Sequence, residues 1–202
     1  MKSLNVLSRP YFAHPVNTYN TPLESAAMKF IERALPGAEV ENPNQPHHRV
    51  GYARYAERAK ESSTTHKGMN YFFDEVLPGC DSCIAMPFLD GRMGLGVAGE
   101  AKKFAEKNMF VGVVFPVERR VPGDLNKLLK KFIEDPSCGL FAILPLTEEK
   151  TVQLLAQDPK LVVPHEETRL RTWYIYNRKP RPYEVAHLVS MPIPPGFYPE
   201  KT

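Results

Sequence analysis

The chain has 202 residues, 43% hydrophobic and 24% charged, a composition that excludes disorder over most of the length and suits one domain with an appendage. Its net charge of +3 comes from basic residues scattered among acidic ones, without the basic stripe that polymeric nucleic acid requires, and no apolar run reaches the roughly 18 residues of a membrane span. Three cysteines are too few for a disulfide framework, and MKSLNVLSRPYFAHP lacks the apolar core and cleavage site of a signal peptide, so the expected setting is the cytoplasm.

Pro10 to Ala13 predicts a short strand that runs into the loop HPVNTYN. Thr21-Pro22-Leu23-Glu24 then supplies a capping residue, a proline at the first helical position and a glutamate placed to close a capping box. Leu23, Ala27, Phe30, Ile31 and Ala34 continue at helical spacing until Pro36-Gly37 stops the helix. A brief strand over 38–40 leads into the polar stretch NPNQPHH. Tyr52, Tyr55, Ala56 and Ala59 predict a second helix, and Met69, Phe72, Phe73 and Val76 a third.

Ile84 to Phe88 reads as a buried strand, followed by the glycine-rich DGRMGLGVAGE and a helix through Asn108. FVGVVF at 110–115 and LFAILPL at 140–146 are further apolar strands, separated by an amphipathic helix on Leu125, Leu128, Leu129, Phe132 and Ile133. Thr147 caps one more helix through Ala156. This alternation predicts an α/β domain over residues 1–158, a parallel sheet of about five strands with helices on both faces. The runs at 84–88, 110–115 and 140–146 are expected to be parallel neighbours. Residues 159–202 form a proline- and aromatic-rich extension with one candidate strand, Thr172 to Tyr176, expected to pack on the domain or on a partner subunit.

The segment Asp81 to Glu100 carries the chemistry. Asp81 opens an interior strand, Asp90 and Arg92 follow its end, and Gly94, Gly96 and Gly99 open a helix. Ligands of open α/β sheets bind beyond the carboxyl ends of the strands, where glycines let backbone N–H groups come close. Glu100 is expected in the first turn of that helix, its carboxylate held ionised by the dipole, as a nucleophile needs. GLGVAG itself matches neither a dinucleotide fingerprint nor a P-loop, and packing alone accounts for such a loop.

The run CDSCIAMPFLDGRMGLGVAGEAKKFAEKNMFVGVVF resembles the central signature of the nucleoside 2-deoxyribosyltransferase family and its relatives, the 2′-deoxynucleoside 5′-phosphate N-hydrolases. The matching positions are Asp81, Gly94-Leu95-Gly96, Glu100 and Ala105, and PYFAHP is similar to the family's first strand. The resemblance covers about residues 9–116 and implies a Rossmann-like (flavodoxin-like) fold, no cofactor and no metal. It also implies a nucleoside or nucleotide as ligand and a homo-oligomer that completes its pockets across subunits. Glu100 would attack C1′ of the sugar, Asp81 would hold or protonate the leaving base, and Tyr11 would orient the carboxylate, the two-carboxylate logic of retaining glycosidases. Phe12, His14, Asp90, Arg92, Gly94, Gly96 and Gly99 would line the substrate site. Gly94 stands where the transferases carry aspartate and the hydrolases serine, with Arg92 near enough in sequence to meet a phosphate. His14-Pro15 replaces the small residues usual after the first strand.

Two other readings stay open. One is a non-catalytic nucleotide-sensing module that keeps the cleft, the other a glycohydrolase of a larger nucleotide such as NAD. Cys80 and Cys83 are expected to be ordinary small residues at a strand start, since a zinc site needs a second pair. His47-His48 is expected to be solvated in its loop, and Lys127, Lys130 and Lys131 to form a solvated helix face. Asn17 and Tyr19 suit substrate contact and loop stabilisation equally.

Overall fold

The computed structural model describes residues 7–20, 22–62, 68–88, 91–116 and 141–168. Its centre is a mixed four-stranded sheet in the order β1 (Pro10–Ala13), β2 (Ser82–Ala85), β3 (Phe110–Pro116) and β4 (Phe141–Pro145). β1 and β3 both run parallel to β2, with Tyr11 opposite Cys83 and Cys83 opposite Val111. Outside β1 the chain returns to a single parallel bridge, Tyr11 to Glu41, where Phe12 N–H donates to Glu41 O and Glu41 N–H to Pro10 O, both at 2.9 Å. The brief strand expected at 38–40 is reduced to this bridge. No described helix is long and apolar enough to cross a membrane.

The expected all-parallel arrangement of the three apolar strands is corrected. β2 and β3 are parallel, but β4 is antiparallel to β3, with Val114 opposite Ile143. An unbroken apolar run reports burial, not direction, and α/β sheets commonly close on an antiparallel edge strand. β4 is such an edge: Phe141 is buried and Leu144 and Pro145 are exposed. The helix expected at 125–133, the strand expected at 172–176 and Asp90 all lie outside the described residues.

Among the described residues five helices flank the sheet: α1 (Pro22–Ala34), α2 (Pro46–Ser62), α3 (Met69–Tyr71), α4 (Leu95–Glu106) and α5 (Glu148–Ala156). α3 runs on through a π turn at Phe72–Val76 and a 3-10 turn at Leu77–Gly79. The two-residue period of the strands splits the interior into two cores. Tyr11, Ala13, Cys83 and Ala85 point to one, filled by α4 through Val97, Ala101 and Phe104. Phe12 and Ile84 point to the other, filled by α1 through Leu23, Ala27 and Ile31. Beyond α5, Leu161, Val162 and Val163 are buried, and Val162 bridges to Met93.

Asp81 fastens the amino ends of β1 and β2 together. Its Oδ2 accepts from Ser8 N–H (2.6 Å), the Ser8 hydroxyl (2.7 Å) and Arg9 N–H (3.0 Å), and its Oδ1 from the Ser82 hydroxyl (2.8 Å). Partial burial pushes its pKa up, but these four donors outweigh it and leave the carboxyl below its ordinary 3.8. Its stabilising contribution is therefore present above about pH 4 and lost as the pH falls through the lowered value. Asp81→Ala is expected to cost about 2 kcal/mol near neutral pH. In urea melts the gap to wild type should narrow below pH 4; a gap that persists undiminished in acid would contradict this role.

Candidate functional site

Glu100 reaches the sheet through the register of α4. Val97, Ala101, Phe104 and Ala105 form its buried stripe, and Glu100, three residues after Val97, shares that stripe and is only 5% exposed. Gly94 is the N-cap, so Glu100 sits in the second turn rather than the expected first, where the helix dipole has weakened. Tyr11, on the facing side of β1, donates its phenolic O–H to Glu100 Oε1 at 2.8 Å. The Tyr11 ring is fixed by Phe72 and Phe104, each with its centroid 6.4 Å away.

The expectation that Glu100 is held ionised at neutral pH is also corrected. Burial raises its pKa from 4.5 to about 8, and the Tyr11 hydrogen bond only partly opposes this. Burial and the adjacent Glu100 push the Tyr11 phenol well upward, so Tyr11 remains a donor.

Glu100, with Tyr11 buried behind it, lies at one wall of an open cavity of about 700 Å³, a size that suits a nucleotide-sized ligand. Gly94, Gly96 and Val97 bring the start of α4 to the same wall. At Gly96 an added Cβ would meet nothing within 4 Å, whereas at Gly94 it would press on the Phe88 ring at 3.1 Å. The other walls carry aromatic faces from Tyr19, Tyr52, Phe72 and Phe88, with Asn20 and Arg49 among the polar groups. Among the described lining residues Glu100 is the one carboxylate.

His14 anchors the loop after β1. Its buried imidazole lies between the Thr18 hydroxyl (Nδ1 to Oγ1, 3.0 Å) and Asn42 (Nε2 to Oδ1, 3.1 Å), with Glu24 Oε1 3.6 Å away. Asn42 Oδ1 also accepts Asn44 N–H at 2.8 Å, while its amide nitrogen donates to Glu24, so Nε2 of His14 must be a donor. Burial lowers the His14 pKa, with Asn42 and Glu24 opposing. Buried Glu24 gathers donors from Asn20 N–H, Asn42 and Asn44, joining the 14–20 loop, α1 and the 42–46 turn into one frame.

The structure thus brings Tyr11, His14, Gly94, Gly96 and Glu100 together and leaves Asp81, Phe12, Arg92 and Gly99 elsewhere, while Asp90 lies outside the described residues. Asp81 sits at the amino end of β2, occupied by Ser8, Arg9 and Ser82, and is not at the cavity. Phe12 belongs to the α1 core, because the strand pleat sends it to the opposite face from Tyr11. Arg92 makes a two-pronged ion pair with Glu167 at 2.5 and 3.1 Å, and Gly99 packs beside Phe73 away from the cavity. His48, expected in solvent, is buried in the first turn of α2, bonded to Glu41 and Tyr71. Cys80 and Cys83 are both buried, and burial pushes the Cys80 thiol up to about 12, so neither offers a thiolate. Tyr52, Met69 and Phe72 had no distinguishing signal, since aromatic and methionine residues at helical spacing look like core.

Compared with family models, with curated proteins and with solved structures, the chain matches none.

Because Glu100 is raised in the folded state, the fold binds its proton more tightly than the unfolded chain does. Stability is then lost as the pH rises from about 4.5 to about 8, by roughly 1.4 kcal/mol per unit where the two states differ by a full proton. Replacing Glu100 by Gln removes this loss, so chemical melts of Glu100→Gln should gain on wild type steadily across that window. A wild-type-minus-variant difference that is flat with pH would show that the carboxyl is not perturbed.

Proposed function

We propose that the chain is a Rossmann-like (flavodoxin-like) N-glycosidase or glycosyltransferase acting on a nucleoside or nucleotide through a glycosyl-Glu100 intermediate. The observation that carries this is buried Glu100, bonded by Tyr11 behind it, at the wall of an aromatic-lined cavity beside a glycine-opened helix. The parallel bridge at Glu41 supports the fold reading, because it sets a fifth segment, from the connection between β1 and β2, on the side of β1 away from β2.

In this reading a Glu100 oxygen, once deprotonated, forms a bond to C1′ as the C1′–N bond to the base breaks. The bonding electrons leave with the base, which takes a proton from water. Water, or a nitrogen of a second base, then attacks C1′ and releases the Glu100 carboxylate, with net retention. Tyr11 steers the attacking carboxylate and favours its ionised form. The aromatic walls stack on the base, and Asn20 and Arg49 offer donors to it. A homo-oligomer would cover the open side of the cavity.

One observation favours a second reading, a nucleotide-sensing module. Glu100 is protonated near neutral pH, and no second described carboxylate reaches the cavity to assist departure of the base.

A panel of nucleosides, nucleotides and NAD, scored for released base, separates the two. The enzyme reading predicts base release that falls by about 10²-fold or more in Glu100→Gln with ligand binding retained, plus a sugar adduct in the intact mass of quenched wild type. Asp81→Asn that folds should keep most of its turnover. Wild-type turnover in Glu100→Gln would sink the mechanism, and binding without base release across the panel would establish the sensor.

A further inference from the structure

A second cluster of ligating side chains lies apart from Glu100, where the 41–48 segment meets the amino end of α2. We propose that Glu41, His47 and His48 form a binding site for a borderline divalent metal ion of the zinc type. One ligand atom from each residue lies within 4.8 Å of the others, and two of the three residues are buried. Glu41 Oε1 and His48 Nε2 face each other at 2.8 Å. Two metal–ligand bonds of about 2.0–2.1 Å at a tetrahedral angle need roughly 3.3 Å between donors, so a half-ångström opening admits an ion between them. The His47 ring, its centroid 4.0 Å from that of His48, is exposed and free to swing in as the third ligand.

The far side of each buried ligand is already held, as metal ligands usually are. Arg9 Nη2 grips Glu41 Oε2 at 2.5 Å, and the Tyr71 hydroxyl meets His48 Nδ1 at 3.0 Å. A carboxylate only accepts, so His48 now donates Nε2–H to Glu41 and takes the Tyr71 proton at Nδ1. Metal binding moves the imidazole proton to Nδ1, which then donates to the Tyr71 oxygen, and the bare Nε2 faces the ion.

Two imidazoles and one carboxylate select zinc, cobalt or nickel over magnesium and calcium, which prefer all-oxygen shells. The Arg9 guanidinium opposes a second cation. It restricts Glu41 to one-oxygen ligation and sets the affinity below that of a structural zinc site. At least one coordination position stays open, and His48 and Arg49 also border the cavity.

The test is titration of the metal-stripped full chain with Zn²⁺ by calorimetry and with Co²⁺ by visible absorption. The expected result is one equivalent per chain and a Co²⁺ spectrum of mixed nitrogen and oxygen ligation, without displacement by excess Mg²⁺. His47→Ala, at an exposed position that leaves the fold intact by circular dichroism, should weaken binding by about tenfold or more and abolish the Co²⁺ bands. Absence of a stoichiometric equivalent in wild type, or wild-type affinity in His47→Ala, would overturn the site.

Discussion

The molecule is organised around the cost of burying a carboxyl group. Glu100 is on the apolar stripe of α4 and is turned toward the sheet, where it is only 5% exposed. Among the described residues its carboxyl accepts one hydrogen bond there, from Tyr11. A single phenolic donor does not replace full hydration, and so the proton stays on to about pH 8. Proteins retain such an arrangement where a group must be nearly naked and close to its switching point, which is how active-site carboxyls differ from surface ones. The constraint propagates outward. Tyr11 must be held rigidly, hence its contacts with Phe72 and Phe104, and α4 must sit close against β1 and β2, hence the alanines at 98, 101 and 105.

The cavity beyond this pair is framed by a second polar structure of opposite character. Glu24 is also buried, yet it is surrounded by donors from Asn20, Asn42 and Asn44 and has His14 beside it. Fully partnered, it fixes loops. Sparsely partnered, Glu100 stays chemically available. Glu24 and Glu100, two of the three buried carboxyls among the described residues, thus divide by their hydrogen-bond supply into one that is fully partnered and one that is sparsely partnered.

Much of this was legible in the sequence, where local pattern dominates. The start of α1, the parallel pairing of β2 and β3, the helix after the glycine loop and the approach of Tyr11 to Glu100 follow from periodicity, capping and the resemblance in the 9–116 region. What was not legible depends on geometry across the sheet. Asp81 precedes its strand, and the amino and carboxyl ends of a strand look alike in one dimension, so its distance from the cavity is invisible until the strand is placed. Phe12 next to Tyr11 is sent away by the pleat. Arg92 is claimed by Glu167, 75 residues along the chain. The direction of β4 depends on a connection that apolar content does not encode, and the burial of His48 on Glu41 and Tyr71 that convenes in space.

The most direct test of the account is the ionisation of Glu100 itself. Infrared difference spectra of wild type minus Glu100→Gln, followed through a pH titration, isolate the carboxyl C=O stretch of this one residue. The account predicts that the protonated band persists at pH 7 and disappears with a midpoint near 8. In Tyr11→Phe, which removes the donor that favours the carboxylate, the midpoint should move higher still. A midpoint near 4.5, or one that Tyr11→Phe leaves unmoved, would contradict it.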